Sequence, residues 1–300
     1  MAGLVVLEKM VMLVLLMLVG FLAAKGKWVD ESFGQKASFL VANVFIVATI
    51  LASVVGMEPL FSGRELVVSV VAVFILFAIG GVLGWICAKL LPLSPGDRTA
   101  AWLSVFFMNN VFIGFPVVEA LFGQNAVFCA ALTGLPFNLL LFSLGVSRLR
   151  AGQGRGRVRL REVFSPALIA TLVSIVFFLG QIPFPQLVAD TVQTLGGATV
   201  PLSMLIIGIS LSRVPVKEAI TDWRAYVVSL VRLILCPLVV WGVLRLFVSG
   251  TVLGVLTVIA ACPSGAMITI LSLRYGVDET FATRVNFVST VLCAGTLPLV

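Results

Sequence analysis

The chain has 300 residues, a formal net charge of +7, and a composition that is 60% hydrophobic and only 11% charged. Its mean hydropathy of +1.18 excludes an ordinary soluble domain, because a chain of this size could not bury so much apolar surface and must have lipid as its solvent. Most of the basic residues lie in the connections between apolar runs, so we expect no nucleic-acid partner. The composition predicts an all-α polytopic membrane protein in a lipid bilayer.

Ten apolar runs follow one another along the chain, each close to the roughly 20 residues that a helix needs to cross a bilayer. They cover residues 4–24, 37–56, 66–91, 100–122, 126–147, 164–182, 187–211, 225–248, 251–273 and 279–300. The first run is interpreted as a membrane span and not as a signal peptide, because its start is not basic and no small-residue cleavage site precedes Lys25.

The longest polar connection separates the fifth run from the sixth and carries six arginines, at positions 148, 150, 155, 157, 159 and 161. Basic loops are retained in the cytoplasm, so we expect this linker inside and both termini outside; binding of phospholipid headgroups is an alternative role. This orientation places 17 of the 20 Lys and Arg residues on the cytoplasmic side. It predicts a multi-pass protein of the cell (inner or plasma) membrane.

The linker also divides the chain into two halves. We expect a first five-helix repeat at residues 1–147, a cytoplasmic arginine-rich linker at 148–163, and a second five-helix repeat at 164–300. Because five is an odd number, two similar halves would enter the membrane in opposite senses, as inverted repeats.

The fourth and ninth runs are interrupted near their middles, at Asn109–Pro116 and at Ala261–Gly265. Proline lacks an N–H donor and its ring clashes with the preceding turn, so neither run is expected to form one continuous helix. Broken helices at membrane depth line a cavity, and paired breaks in corresponding positions mark the binding site of a transporter. The candidate substrate-binding residues are Asn109, Asn110, Gly114, Pro116, Pro263, Ser264 and Gly265.

Polar residues inside the runs are few, and each is a candidate for function. Asn109 is either a ligand of substrate or ion, or a hydrogen-bonding contact between helices. Glu119 is either a coupling group for an ion or proton, or a residue of the outer interface. Asn43 and Asn286 are interpreted as hydrogen-bonding contacts between helices, and Asp190 as an interfacial residue.

Several kinds of chemistry are absent from the sequence. There is no histidine, which excludes His-dependent catalytic and zinc motifs. There are no paired carboxylates beside the breaks and no phosphate-binding loop. We therefore expect no enzyme activity, no cofactor and no metal. The five cysteines lie within apolar runs at no metal-like spacing and are interpreted as structural thiols.

Three segments resemble the auxin efflux carrier family, whose bacterial members include malonate-type permeases. Asn109–Pro116 resembles the N-x-x-x-x-G-x-P signature of the family's fourth helix. Gly196–Leu211 is similar to its seventh helix, and Pro263–Gly276 is similar to its ninth helix and the following turn. The resemblance extends over essentially the whole chain. It implies ten transmembrane helices in two inverted five-helix repeats, with broken, crossing helices 4 and 9.

The resemblance also implies roles. Spans 1, 2, 6 and 7 would form a scaffold, which leaves a homodimer through these helices open, and spans 3–5 and 8–10 would form a moving transport domain. Asn109 would lie beside the substrate, with Pro116 and Pro263 as the crossover prolines. The chain departs from the family in two places. Met267 stands where bacterial relatives often carry asparagine, and the second span has no proline near Val44–Ile46.

We predict a secondary transporter of small organic anions, such as carboxylates, that works by an elevator-like alternating-access mechanism. The alternative is a sodium-coupled symporter of the related bile-acid-type fold, which would need a cage of oxygen ligands beside the breaks. An intramembrane enzyme is disfavoured by the missing catalytic residues. A non-transporting receptor is disfavoured because it would not need two breaks.

The charge of the substrate can be predicted if Pro116 and Pro263 begin the second half-helices. Two helix N-termini would then offer about one positive charge together. Arg232, Arg245 and Arg284 are expected near the ends of their spans, where they reach headgroups or water. A second negative charge on the substrate would be unpaired in a poorly hydrated site. The sequence thus predicts a preference for singly charged carboxylates, or for dicarboxylates in their half-protonated form.

Overall fold

A computed structural model of the chain describes residues 2–56, 63–150, 164–212, 221–274 and 279–299. Within these residues the regular structure is helical apart from one isolated bridge, as predicted. In chain order the α-helices are α1 (Ala2–Lys25), α2 (Glu31–Leu40), α3 (Ile46–Ala52), α4 (Gly63–Leu90), α5 (Pro95–Phe106), α6 (Phe115–Phe122), α7 (Ala126–Ala131), α8 (Gly134–Leu140), α9 (Val146–Arg150), α10 (Pro166–Gly180), α11 (Gln186–Gly197), α12 (Thr199–Leu211), α13 (Trp223–Leu230), α14 (Cys236–Leu244), α15 (Gly250–Ala260), α16 (Met267–Arg274) and α17 (Thr280–Thr296).

Short turns of other helix types join several of these elements. π-Helical turns lie at Val41–Phe45, Asn110–Gly114, Leu141–Gly145 and Val231–Leu235, and a 3-10 turn at Leu297–Leu299 follows α17. In the part of the chain that the structure describes, five continuous helical segments are long and apolar enough to cross a membrane: Ser32–Ala52, Glu65–Leu90, Ala126–Leu149, Gln186–Leu211 and Trp223–Leu244. Each of the ten apolar runs contains helix, while the count of ten crossings and the inverted repeat stay predictions.

The helices pack into two compact units. Unit 1 comprises residues 1–70, 111–134 and 166–214, and unit 2 comprises residues 71–110, 135–165 and 215–300. Unit 1 therefore contains the predicted scaffold spans 1, 2, 6 and 7 together with residues 111–134. The division into a fixed scaffold and a moving domain stays a prediction. Most of the predicted arginine linker lies outside the described residues.

In unit 1, α1 and α12 touch through their backbones. A Cβ atom added at Gly208 would lie 1.8 Å from the carbonyl oxygen of Met17, and one added at Gly20 would lie 2.1 Å from that of Leu205. No side chain fits at either point. Glycine is used here as it is in other membrane helices, where small residues let two backbones approach closely.

Buried hydroxyl groups tie the remaining helices of unit 1 together. The Thr49 side chain of α3 shares a hydrogen bond of 2.7 Å with the hydroxyl of Thr199 and donates to the carbonyl of Gly196 at 3.2 Å. The Ser174 hydroxyl of α10 donates to the carbonyl of Ile50 at 3.2 Å. Each bond satisfies a polar group that would be costly to leave unpaired in an apolar interior.

In unit 2, α4 and α5 are in close contact along an aromatic core. A Cβ atom at Gly84 would approach the Trp102 carbonyl oxygen to 2.9 Å, and the Trp102 indole N–H donates to the Gly81 carbonyl at 3.0 Å. The rings of Phe77 and Phe106 meet edge to face with centroids 6.2 Å apart. All five cysteines of the chain are buried as free thiols.

A polar cluster in unit 2 surrounds the start of α13. Asp222 caps this helix, and Arg224 donates to both of its carboxylate oxygens at 2.8 and 2.7 Å. The Arg284 guanidinium lies 3.5 Å from the same carboxylate, and Arg224 also donates to the Pro92 carbonyl at 3.2 Å. The hydrogen bonds from Arg224 hold the pKa of the Asp222 carboxyl below its usual value.

Candidate functional site

The two predicted breaks meet in unit 2, where their backbones are hydrogen-bonded to each other. Met108 and Ser264 form an isolated antiparallel bridge, and the Asn109 N–H donates to the Pro263 carbonyl at 2.8 Å. The predicted breaks of spans 4 and 9 are thus brought together at one point. Met108 and Ser264 are each only 1% exposed, so the bridge is a buried structure.

Gly265 completes this bridge. Its N–H donates to the Phe107 carbonyl at 2.9 Å. A Cβ atom at Gly265 would lie 3.3 Å from the carbonyl oxygen of Met108 and 3.4 Å from that of Phe107, closer than most side chains tolerate. The glycine therefore lets the two backbones approach closely enough to pair.

The first break lies earlier than the proline suggested. Helix α5 ends at Phe106, Phe107 is extended (φ −110°, ψ 112°), and helix resumes at Asn110. Pro116 is only the second residue of α6, and Gly114 before it is already helical (φ −61°, ψ −52°). The prediction that Pro116 begins the second half-helix is therefore wrong. The wider π-helical turn before it relieves the clash between a proline ring and the carbonyl one turn back.

Pro263 does not begin a half-helix either. It lies in the non-helical stretch between α15, which ends at Ala260, and α16, which begins at Met267. Pro263 instead contributes its carbonyl to the bridge. A proline is suited to this position, because the bridge needs no N–H from it.

A buried arginine lies directly behind the bridge. Arg232 is 1% exposed, and its guanidinium donates to the carbonyls of Cys262 at 2.9 Å, Val105 at 3.0 Å and Ile259 at 3.3 Å. The expectation that Arg232 extends to headgroups or water is wrong. The last carbonyls of a helix have no partner within the helix, so the broken ends of α5 and α15 draw the side chain inward.

The net charge at the bridge is the sum of the Arg232 charge and the partial charges of the helix termini that meet there. Arg232 contributes one positive charge, and each helix terminus contributes about half a charge, negative at the C-terminus and positive at the N-terminus. The partial negative charges at the C-termini of α5 and α15 are cancelled by the partial positive charges at the N-termini of the helical segments that follow them, at Asn110 and Met267. The net charge is about +1, and it comes from the arginine. Among the described residues, no carboxylate forms an ion pair with Arg232.

Polar atoms of α17 adjoin the bridge. The Ser289 hydroxyl accepts a hydrogen bond from the Ser264 N–H at 3.2 Å. Within the described residues, the Ser264 hydroxyl and the Asn286 side-chain oxygen are both buried without a hydrogen-bond partner. Asn286 lies three residues before Ser289, on the same side of the helix. The structure therefore does not support a hydrogen bond between helices through the Asn286 oxygen.

The other predicted site residues lie in different places. Asn109 is half-buried and Asn110 is buried, both in unit 2, whereas Gly114 and Pro116 belong to unit 1. Glu119 is half-buried in unit 1, and one of its carboxylate oxygens is buried without a partner among the described residues.

Two further polar residues have local partners. The Asn43 amide donates to the Phe39 carbonyl one turn back, at 2.7 Å, so its interpretation as a contact between helices is wrong. The exposed Asp190 carboxylate accepts a hydrogen bond from the Gln186 amide at 2.9 Å. Among the described residues, no group of three or more cysteine or carboxylate side chains could hold a metal ion.

Sequence reasoning missed the two residues that support the bridge most directly. Arg232 was visible as an isolated charge within an apolar run, and such residues are functional by default in membrane helices. Ser289 gave no comparable signal, because a single serine in an apolar helix usually bonds to its own backbone.

Comparisons with known proteins agree with a transporter architecture. A family model described as "Membrane transport protein" matches residues 5–147 and 155–300. An uncharacterized transporter of Methanothermobacter thermautotrophicus is 27% identical over 296 residues, covering 97% of this chain and 96% of the relative. An uncharacterized transporter of Methanocaldococcus jannaschii is 25% identical over 294 residues, covering 95% and 94% respectively.

We expect Arg232→Met to destabilise the protein strongly, because the buried carbonyls of Val105 and Cys262 would lose the donor that Arg232 provides, at a cost of roughly 1–3 kcal/mol each. Arg245→Met is the matched control, since Arg245 is exposed and lies over the Trp241 ring, 4.5 Å from its centroid. The measurement is thermal unfolding of both purified variants in detergent. An Arg232→Met protein as stable as the unsubstituted chain would contradict the structural role assigned to this arginine.

Proposed function

Because this chain belongs to the membrane transport protein family, the auxin efflux carrier family, we propose that it is a secondary transporter of small organic anions such as carboxylates. The observation that carries the proposal is the hydrogen-bonded meeting of two helix breaks in front of the buried Arg232. A receptor or a scaffold would have no use for this arrangement, which is costly to maintain inside a membrane.

The proposed substrate site is formed at the bridge. Asn109 and Ser264 carry polar side chains there, and Asn286 offers a buried oxygen without a hydrogen-bond partner in the described residues. Amide and hydroxyl groups orient a carboxylate without adding charge. Helix N-termini at such breaks attract anions, and Arg232 adds a full positive charge behind them.

This electrostatic balance supports a singly charged substrate. The four helix termini cancel to about zero, which leaves the charge of Arg232 to be matched. A monocarboxylate matches it, and so does a dicarboxylate in its half-protonated form. A full dianion would carry one unpaired charge into the site at a cost of several kcal/mol.

Glu119 has a buried carboxylate oxygen in unit 1, which would be explained if this residue bound the proton or ion that drives transport. A buried carboxyl oxygen without a hydrogen-bond partner is costly unless a proton or a cation supplies one. We therefore propose Glu119 as the coupling group. This observation also favours the second candidate function, a sodium-coupled symporter of the bile-acid type, in which a sodium ion would take the place of the proton.

We propose that transport occurs by an elevator-like exchange of one set of spans past the other. The predicted inverted repeats favour such a motion. Inward-open and outward-open structures that hold spans 4 and 9 at one depth relative to spans 2 and 7 would rule it out.

We expect both termini outside the cell, with the arginine linker in the cytoplasm, because basic residues are retained on that side. In a cysteine-free background, a single cysteine at Gly154 should resist a membrane-impermeant thiol reagent in intact cells and react after lysis. A cysteine at Gly250, the first residue of α15, should be labelled in intact cells. The reverse pattern would overturn the proposed orientation.

The proposed function is tested by uptake of monocarboxylates and dicarboxylates into proteoliposomes between pH 4 and pH 8, with and without sodium. We expect dicarboxylate uptake to fall as the second carboxyl ionises, because only the half-protonated form matches the site. A requirement for sodium would favour the symporter. Tighter binding of a fully ionised dicarboxylate than of any monocarboxylate at pH 8, without a coupled cation, would contradict the charge balance.

We expect Asn109→Ala to impair transport far more than Asn43→Ala. Loss of a site group that binds the substrate leaves a polar partner unpaired, at roughly 1–3 kcal/mol, or about 5- to 150-fold in half-saturating concentration. Asn43 is a suitable control because its amide bonds within its own helix. Both variants are compared by uptake at equal amounts of folded protein. Equal transport by the two would remove Asn109 from the site.

A further inference from the structure

An open apolar groove lies on the surface of unit 2. It has a volume of about 490 Å³ and is lined only by apolar and aromatic residues of α4, α5, α8 and the following π-helical turn, including Phe74, Phe77, Val82, Trp85, Trp102 and Leu144. We call it the aromatic groove. Its volume is within the range of pockets that hold small organic ligands.

Several residues of the aromatic groove are exposed although they are large and apolar. Trp85 is 56% exposed, Val82 57% and Leu144 46%. In a membrane protein such a surface faces lipid tails. A flat apolar surface would be expected there, whereas this one is concave, and at Gly81 the Phe106 ring packs directly against α4, 3.3 Å from where a Cβ atom would stand.

Basic side chains stand at one end of the aromatic groove. Lys89 lies over the ring of Trp85, with its ammonium nitrogen 5.0 Å from the ring centroid, and Arg148 lies over the ring of Trp102 at 5.4 Å. Both tryptophans line the groove. A ring face attracts a cation, so the groove itself positions these two charges.

The contacts along the groove show that both charges are at the same end. The ring of Phe77 on α4 lies beside that of Phe137 on α8, with centroids 6.3 Å apart. One turn further along α4, Gly81 accepts the hydrogen bond from the Trp102 indole, and Arg148 lies over the same indole. The α4 helix and the segment from α8 to α9 are therefore parallel, so Lys89 at the end of α4 and Arg148 in α9 lie at the same end of the groove.

We propose that the aromatic groove binds an anionic phospholipid, with an acyl chain along the groove and the phosphate between Lys89 and Arg148. An acyl chain suits the lining, which offers no hydrogen-bonding side chain except the indoles, whereas a peptide would need partners for its backbone. The negative headgroup suits the two cations, neither of which forms an ion pair within the described residues. Juxtamembrane basic residues attract anionic lipids in this way.

The test uses quenching of tryptophan fluorescence in the purified full-length chain by phospholipids brominated in their acyl chains. Brominated phosphatidylglycerol and brominated phosphatidylcholine are titrated separately. We expect phosphatidylglycerol to quench at a concentration roughly 5-fold lower for each cation that contacts it. Trp85→Phe and Trp102→Phe should each reduce the quenched fraction, because these two of the five tryptophans line the groove.

Charge variants separate this site from general attraction to the membrane surface. Lys89→Gln combined with Arg148→Gln should abolish the preference for phosphatidylglycerol. Arg245→Gln should preserve it, although Arg245 also lies over a tryptophan ring, that of Trp241, which is not part of the groove. If the double variant does not fold, the two single variants are compared, each with a roughly 5-fold loss of preference.

Three outcomes would overturn the proposal. Equal quenching by the two lipids would mean that the groove holds any acyl chain. An undiminished preference in the folded double variant, or in both single variants, would place the headgroup elsewhere. Displacement of the lipid by soluble glycerol phosphate at the same concentration as phosphatidylglycerol itself would mean that the cations bind phosphate alone and that the acyl chain in the groove adds nothing.

Discussion

The meeting of the two helix breaks in this protein depends on one buried guanidinium. Without it, the Val105 carbonyl near the end of α5 and the Cys262 carbonyl just after α15 would lose the donor that Arg232 provides in an apolar interior, which would destabilise both breaks. Arg232 donates to both helix ends at once through its fixed fork of N–H groups. A lysine has a single charged nitrogen and could not span three carbonyls on two helices with the same geometry.

The same arginine also determines the electric charge at the bridge. The hydrogen bonds of Arg232 point to carbonyls, so the arginine is held in place without a carboxylate, and its charge is not neutralised by an ion pair in the described residues. A charge that is fixed but uncompensated creates a lasting positive potential at the bridge. The proposed anion site thus retains an attracting field even when it is empty.

The sequence predicted the architecture better than it predicted the local geometry. Composition and apolar runs indicated helices throughout, and two prolines indicated where helices 4 and 9 would break. The first break lies several residues before Pro116, because a π-helical turn accommodates this proline. The second break lies at Ala261–Gly265 as predicted, but Pro263 pairs through its carbonyl and does not begin a half-helix. The direction of the Arg232 side chain could not be predicted, since it depends on carbonyls about 30 and 130 residues away in the chain.

The backbone contact between α1 and α12 has a consequence for biogenesis. Met17 and Gly208 touch although they lie about 190 residues apart in the chain, and at a synthesis rate of 5–20 residues per second that interval takes roughly 10–40 s. During this time α1 is already made, but the surface at Gly20 that contacts α12 still lacks this partner. Because glycine has no bulky side chain, α12 can dock late without any side chain at Gly20 having to move aside.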